Sequence, residues 1–394
     1  MAGITKQFQV FKEWNDQSME RSKNGKIKFT DDVLLLMDEN ESDEEAILLL
    51  HITKAIPVTK NESDEEAILL LHITKAIPVT KVRMNLSEMT DSDCLFSRDD
   101  LFYLHSALRL PSVIICENGS RSFGIDALCI LLRRLAYPNR LDDISVLLGR
   151  SKDELSRFVH ETVNIIYNSH SKLLLNINEI KLTREKLNLF SQIITAKGAP
   201  LTNCWGFIDG TVRPICRPIR HQRVVFSGHK RIHCLKFQSV VTPDGMIANL
   251  FGPIEGRRHD SGMLRESNLL EHLAAIPCSE NGTQFVLYGD SGYPLRQHLI
   301  TPFRGASLTP EQQVFNSRMS SVRECVEWVF GKIIQIFAFL DFKKNLKLFL
   351  QPVGKLYIVG ALLTNCHTCL YGSATSDYFN CLPPKLDKYL ECNQ

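Results

Sequence analysis

Three acidic residues in the second half of the chain have the types and spacing that phosphate chemistry needs. Asp209 and Asp290 each follow a short apolar segment, and a glycine comes one or two positions after each. Glu327 lies farther along, in a segment whose apolar residues have helical spacing. Neighbouring carboxylates repel each other unless a cation lies between them, and hard oxygen ligands suit Mg²⁺ or Mn²⁺. We therefore expect Asp209, Asp290 and Glu327 to hold divalent ions that act on a phosphodiester bond.

The chemistry of such a site follows from its charges. One ion lowers the pKa of an attacking water or 3′-hydroxyl, and a second ion stabilises the leaving oxygen. Fixed positive charge then matches the negative charge that develops on the phosphorus group. The alternative is that Asp209-Gly210 and Asp290-Ser291-Gly292 are ordinary turn sequences, in which aspartate and glycine are common.

The segment after Pro200 has the patterns of a sheet covered by helices. Strands are predicted at 204–208, 235–241, 246–251 and 285–288, and helices at 261–275 and 310–337. Pro243-Asp244-Gly245 predicts a hairpin turn between the second and third strands. This order of elements is typical of an α/β fold with an RNase H-like core, a mixed sheet covered by helices. In that fold the first and fourth strands are neighbours, which brings Asp209 and Asp290 together.

Two further acids have roles that the pattern leaves open. On the predicted helix 320–337, Glu327 lies about 100° from the centre of the apolar stripe, so it borders a cleft. Glu324 lies on the same side and competes with it. Asp260 stands between the third strand and the following helix. It is either the cap of that helix or an accessory metal ligand.

The segment before Pro200 has helical periodicity, with helices predicted at 98–108, 125–137, 141–148 and 152–167. A glycine-containing turn between the last two predicts a helix-turn-helix, and Ser151 with Glu154 predicts a capping box. In the DNA-binding form of this motif, Lys152 and Arg157 would face the DNA. The alternative is a helical domain without a ligand.

The net charge of +2 conceals a basic block. No acidic residue occurs between Thr211 and Thr242. A block of one sign suggests a polyanion partner, and its position after Asp209 suggests contact with DNA phosphates at the entrance of the cleft. A solvated loop is the alternative. The basic residues of the block are Arg213, Arg217, Arg220, Arg223, Lys230, Arg231 and Lys236.

An unchanged tandem repeat marks the beginning of the chain. The sequence NESDEEAILLLHITKAIPVTK at 40–60 recurs at 61–81. Two identical copies indicate a recent duplication or an error in a gene model rather than a solenoid, and we expect no catalytic role. The predicted organisation is an acidic N-terminal segment (1–95), a helical domain (96–195), a nuclease domain (196–371) and a tail (372–394).

Composition indicates a soluble intracellular protein without a membrane span, because apolar runs are short and the first residues lack the apolar centre of a secretory signal. The twelve cysteines form no regular framework, which favours reduced thiols. Cys366 and Cys369 flank His367 in a C-x-x-C. Core cysteines are the favoured interpretation of this motif, and a metal site is the alternative.

Six segments together resemble the PIF/Harbinger superfamily of DDE transposases and their domesticated relatives. The resemblance covers about 199–371, and the helical segment 128–163 also resembles the helix-turn-helix that precedes the catalytic core in this family. The family's acids correspond to Asp209, Asp290 and Glu327, with Asp260 as a further metal ligand. Because the family's glutamate precedes x-x-Phe-Gly, the resemblance selects Glu327 over Glu324. The six segments are 207–211 (FIDGT), 227–230 (SGHK), 241–245 (VTPDG), 258–261 (RHDS), 288–293 (YGDSGY) and 326–331 (VEWVFG).

The resemblance implies a nuclear, metal-dependent endonuclease that cuts DNA and transfers strands with Mg²⁺ or Mn²⁺. It also implies a separate Myb-like DNA-binding partner, and a second copy of the chain is a further candidate partner. A cytoplasmic pool is compatible with this expectation. The alternative is a domesticated, catalytically silent DNA-binding or chromatin protein, and a third interpretation is a pseudogene product disrupted by the duplication.

Overall fold

The structure is a computed structural model that describes residues 95–391. The tandem repeat lies outside the described residues. Helices dominate the part before residue 200, and a small hairpin interrupts them. The helices are α1 (Arg98–Ala107), α2 (Gly124–Ala136), α3 (Leu141–Leu148), α4 (Lys152–His170), α5 (Lys172–Leu175) and α6 (Arg184–Ala196), and the hairpin consists of β1 (Val113–Ile115) and β2 (Arg121–Phe123).

The hairpin corrects the expectation that this part is entirely helical. Asn118-Gly119 connects β1 to β2, with Gly119 at a φ of 81°. Asparagine followed by glycine is a strong hairpin signal, and the β-branched residues of β1 favour an extended chain. The turn between α3 and α4 has the predicted form, because Gly149 is left-handed and Ser151 with Glu154 forms the capping box.

A six-stranded mixed sheet follows. Its central strand β3 is antiparallel to β5 and parallel to β7. β6 pairs with the outer side of β5 and β8 with the outer side of β7. This order and these directions are consistent with an RNase H-like core. The strands are β3 (Cys204–Pro214), β4 (Phe226–Ser227), β5 (Ile232–Val241), β6 (Ile247–Glu255), β7 (Val286–Gly289) and β8 (Leu299–Ile300).

Helices flank the sheet and share one hydrophobic core with it. α4 contacts α12, α5 contacts β6, and α6 contacts β3, so the early helices pack directly on the later part of the chain. The residues after 371 also join this core, because Leu386 and Tyr389 are buried. The helices after β3 are α7 (Gln222–Val225), α8 (Asp260–Glu266), α9 (Leu269–Ala274), α10 (Pro310–Arg323), α11 (Cys325–Ile336), α12 (Val353–Tyr371), α13 (Ala374–Phe379) and α14 (Leu386–Leu390).

Two helices that the sequence predicts as continuous are broken. The predicted helix 261–275 is divided at Asn268, which has a φ of 52°. The predicted helix 310–337 is divided at Glu324 between α10 and α11, where the amide of Glu327 donates to the carbonyl of Glu324 as in a 3₁₀ turn. A 3₁₀ turn inside a helix often marks strain or a hinge.

The apolar helix α12 contains the C-x-x-C. Cys366 is fully buried in the hydrophobic core and Cys369 packs against that core, and both carry free thiols. These positions fit the interpretation as core cysteines. Within residues 95–391, no cluster of three or more histidine, cysteine or acidic side chains has the arrangement of a metal site. None of the helices in that range is both long and apolar enough to span a bilayer.

Candidate active site

Asp209 and Asp290 lie on neighbouring parallel strands at matching positions. Ile208 pairs with Gly289 as the last register pair between β3 and β7, and the two aspartates follow these residues directly. β3 is longer than predicted, so Asp209 lies within the strand opposite Ser239 of β5 rather than after its end. Asp209 and Asp290 are still neighbours as expected, because each directly follows the last residue pair between β3 and β7.

Asp260 completes an acidic cluster with these two residues. A Cβ atom at Gly292 would stand 2.8 Å from an Asp260 oxygen and 3.0 Å from an Asp290 oxygen. A Cβ atom at Gly210 would stand 3.1 Å from the other Asp260 oxygen. The two glycines therefore leave the space that the Asp260 carboxylate fills between the chain segments that follow Asp209 and Asp290.

Asp260 is the first residue of α8, and the cap of that helix is His259 without a side-chain bond. The expectation that Asp260 caps the helix is therefore wrong. A negative charge in the first turn still interacts favourably with the helix dipole.

Two cations of the chain compensate part of this negative charge. Arg323, the last residue of α10, places Nη1 3.2 Å from Oδ2 of Asp209. Lys236 on β5 places Nζ 3.7 Å from Oδ1 of Asp260 and donates to the carbonyl of Arg258 at 2.6 Å. Sequence reasoning missed the Arg323 contact, because no motif or spacing in the sequence relates Arg323 to Asp209.

Burial dominates the electrostatics of the cluster. It raises the pKa of Asp209 to about 6, where Arg323 opposes the shift and the negative charge of Asp290 adds to it. Burial also raises the pKa of Asp260, against the influence of Lys236. Both shifts favour the neutral acid, so the cluster holds more negative charge at neutral pH than its surroundings stabilise.

Tyr293 borders the same cluster. Its hydroxyl is buried and has no hydrogen-bond partner among the described residues. Burial and the negative charges of Asp260, Asp209 and Asp290 raise its pKa well above the ordinary value. A buried hydroxyl without a partner is costly, which is a reason to expect a ligand at this position. Carboxylate oxygens with an unsatisfied hydroxyl beside them are a donor set that fits a hard divalent cation.

Glu327 does not join the aspartates through any described contact. It is exposed in the first turn of α11, the helix that packs against β3. Across the described residues, no three acidic, histidine or cysteine side chains already stand at metal-ligand positions. The structure thus brings together Asp209, Asp260 and Asp290, and it places Glu327 on an adjacent helix.

Comparisons with known proteins cover the same part of the chain. Residues 208–365 match the family model described as DDE superfamily endonuclease, and all four acidic residues lie in the matched range. The match confirms the resemblance seen in the motifs.

A curated relative is "Protein ALP1-like" of Arabidopsis thaliana, to which the chain is 25% identical over 237 residues. The alignment covers 57% of this chain and 55% of the relative, so the chain spans about half the length of the relative that it matches. No solved structure matches the chain.

The basic residues predicted to bind DNA fall into two groups. Arg213 is buried, donates to Thr211, forms a 3.8 Å ion pair with Asp341, and stacks on the ring of Tyr357. Its expected surface role is therefore wrong, because β3 continues through it and turns its side chain into the core. The predicted DNA contacts that are exposed are Arg157, Arg217, Arg220, Arg223, Lys230, Arg231 and Lys152, the last of which forms an ion pair with Asp142.

Proposed function

We propose that the chain is a metal-dependent DNA endonuclease of the transposase type. The observation that carries the proposal is the convergence of Asp209, Asp260 and Asp290 at one edge of the sheet, within a segment that matches DDE superfamily endonucleases. Carboxylates whose burial raises their pKa are better satisfied by a divalent cation than by water. The exposed arginines of the loop 215–231 would supply affinity for a polyanion.

Each residue has a proposed role in this reaction. Asp209 and Asp290 would hold the cation, Asp260 would contribute a further oxygen, and Glu327 would approach from α11. Mg²⁺ or Mn²⁺ bound there supplies a lowered pKa for the attacking oxygen and a positive charge for the leaving oxygen. Arg323 is positioned to contact a phosphate oxygen when a cation replaces it at Asp209, because a guanidinium binds phosphate as well as carboxylate.

DNA is the proposed substrate, and the exposed basic residues of the loop 215–231 are its proposed phosphate contacts. Arg157 on α4 is a proposed contact of the helix-turn-helix. Lys152 would have to exchange its ion pair with Asp142 for a phosphate. We also propose a nuclear location, where this substrate is found, and a Myb-like partner as the resemblance implies.

A nicking assay on supercoiled plasmid tests the proposal. Purified full-length protein should nick DNA with Mn²⁺ and not with EDTA, and Asp209→Ala and Asp290→Asn should remove the activity. Glu280→Gln, which changes an exposed loop acid outside the cluster, is the charge-matched control. If Asp290→Asn cuts as fast as the unchanged protein, the assignment is wrong.

The role of Glu327 needs its own comparison, because the side chain is exposed. Glu324 and Glu327 flank the same turn, and both are exposed. Glu327→Gln should abolish nicking, whereas Glu324→Gln should leave it unchanged. Equal loss in both variants would mean that the negative charge of this surface matters and that neither residue is a specific ligand.

A DNA-binding protein without cleavage is the second candidate function. The observation that favours it is that cations of the chain itself already pair with Asp209 and Asp260, so their charge is partly balanced without a metal. This candidate predicts DNA binding without any metal-dependent product in the nicking assay, and binding that is insensitive to Asp290→Asn.

A further inference from the structure

A second basic segment follows the 3₁₀ helix Ala338–Asp341, outside every motif of the catalytic core. No acidic residue occurs between Phe342 and Ser376. Lys343, Lys344 and Lys347 are exposed, and none of them forms an ion pair within residues 95–391. Their charges are therefore available to a partner, in contrast to the neutralised charge of Lys152.

Two contacts join this second segment to the basic loop 215–231, and a third joins the residues that precede them. The amide of Cys216 donates to the carbonyl of Leu346 at 2.9 Å. The rings of His221 and Phe349 lie 6.3 Å apart. The ion pair between Arg213 and Asp341 fixes the end of β3 to the residue that precedes the segment. Two acid-free stretches that are about 120 residues apart in sequence thus form one surface.

Large apolar side chains project from this basic surface. Ile219 is 95% exposed, Phe349 is 79% exposed, and Leu350 is 72% exposed. Single exposed apolar residues are ordinary on proteins, but a group of them on one surface indicates an interaction site. Phe349 also has a φ of 68°, which is a strained backbone conformation for a bulky residue.

The charge of the surface selects DNA among the partners that an apolar patch could bind. The cations around the apolar group are Arg217, Arg220, Arg223, Lys343, Lys344 and Lys347. Duplex DNA carries one negative charge per about 1.7 Å, which matches such a cluster. Apolar wedges of Phe, Leu or Ile enter base steps in several DNA-bending proteins, where they partly unstack the bases.

The position of the surface fits a duplex that passes through the candidate active site. β3 continues for five residues from Asp209 to Pro214, and the loop of the basic surface follows. At about 3.3 Å per residue this distance is about 16 Å. The same length spans about five base pairs at about 3.4 Å per pair. The basic surface therefore begins within the length of about five base pairs from the acidic cluster.

We infer that the loop 215–231 and the segment 342–350 form one DNA-binding surface, on which Phe349, Leu350 and Ile219 wedge into a base step of the bound duplex. The inference rests on the proposed function for the identity of the DNA. The lysines and arginines bind phosphates without sequence preference, and the wedge favours steps that unstack easily. Pyrimidine–purine steps are of that kind, so the surface would bias where DNA is held.

The charge part of the inference is tested by binding in EDTA, where cleavage cannot occur. Full-length protein is titrated against a fluorescent duplex at several salt concentrations. Replacing Lys343, Lys344 and Lys347 by alanine should reduce the slope of log K against log salt by about 3, since each phosphate contact contributes about 0.9. The matched control replaces three exposed lysines elsewhere, Lys172, Lys385 and Lys388, and should leave the slope unchanged. An unchanged slope in the first variant overturns the inference.

The wedge is tested with 2-aminopurine, whose fluorescence rises when its base unstacks. Phe349→Gly should remove the fluorescence rise and weaken DNA binding about tenfold. Phe349→Tyr should preserve both the fluorescence rise and the affinity of the unchanged protein. Because glycine tolerates the left-handed backbone, the Phe349→Gly protein should melt no lower than the unchanged protein. Leu382→Ala removes another side chain that is 91% exposed and serves as the apolar control.

The outcomes separate this inference from the proposed function. Loss of the fluorescence rise in Phe349→Gly supports the wedge even if the protein never nicks DNA. Nicking that persists while every surface variant binds DNA normally overturns the inference and leaves the proposed function intact. Stronger binding to anionic phospholipid vesicles than to DNA, through the same lysines, would also overturn it.

Discussion

Replacing Asp209 by asparagine should stabilise the metal-free protein at neutral pH. The Asp209 side chain is 16% exposed, and burial together with the charge of Asp290 raises its pKa from an ordinary 3.8 to about 6. Asparagine resembles the protonated acid, so the variant avoids the cost of ionising the carboxyl inside the fold. A pKa shift of one unit corresponds to about 1.4 kcal/mol, which makes the expected gain in the free energy of unfolding at most about 3 kcal/mol.

The pH dependence follows from the sign of the shift. Between about pH 4 and about pH 6 the folded protein holds the Asp209 proton that the unfolded chain has already released. The free energy of unfolding therefore falls as the pH rises through this window, and the contribution of Asp209 is fully present below it. The difference in the free energy of unfolding between Asp209→Asn and the unchanged protein should be near zero at about pH 4 and should grow until about pH 7.

Thermal melts in EDTA across this pH range provide the assay. The Glu280→Gln protein controls for the loss of one negative charge. In a second series Mn²⁺ is added, and it should stabilise the unchanged protein but not Asp209→Asn, because only the former keeps the proposed ligand. If the Asp209→Asn protein is less stable at neutral pH, with the same pH profile as the unchanged protein, the reasoning is refuted.

Three further substitutions have expected outcomes. Gly292→Ala should weaken Mn²⁺ binding about 10- to 100-fold in calorimetry, because its Cβ would stand 2.8 Å from an Asp260 oxygen; unchanged affinity would contradict the packing. Arg323→Met should lower the melting temperature in EDTA and leave a smaller deficit in saturating Mn²⁺, since a cation can replace the lost guanidinium beside Asp209; an equal deficit in both buffers would exclude this exchange. Arg213→Ala should cost about 3 kcal/mol in urea denaturation and leave the salt slope of DNA binding unchanged, because the side chain is buried; a reduced slope would return it to the surface group.

The sequence sufficed to predict the neighbourhood of Asp209 and Asp290, because strand order and the acids at the strand ends determine it. It did not predict the burial of Arg213. The predicted first strand ends at 208 and is followed by a predicted loop, whereas β3 continues to Pro214. Thr211 and Arg213 are both buried at alternate positions of that strand, so the two-residue period could have shown that Arg213 shares the face of Thr211. Charge type alone does not tell which face a basic residue occupies.

The position of Glu327 illustrates a different limit. A continuous helix from 320 to 337 would place Glu327 at a fixed angle from the apolar stripe, as predicted. The 3₁₀ turn at Glu324 separates Glu327 on α11 from α10, so periodicity along one straight helix does not relate Glu327 to the residues before the turn. Neither a glycine nor a proline occurs at this break, so the sequence gives no signal that the helix is divided there.

The two cations beside the acidic cluster determine how a metal ion would enter it. A buried carboxylate without a partner costs several kcal/mol, and the Arg323 and Lys236 pairs offset part of that cost in the metal-free fold. A metal ion must therefore compete with the guanidinium of Arg323 for Asp209. Arg323 ends α10 and Glu327 lies in the first turn of α11, so both are attached to the same 3₁₀ turn. Displacement of Arg323 and placement of Glu327 therefore involve the same short stretch of backbone, and a phosphate can accept the guanidinium that a metal ion releases from Asp209.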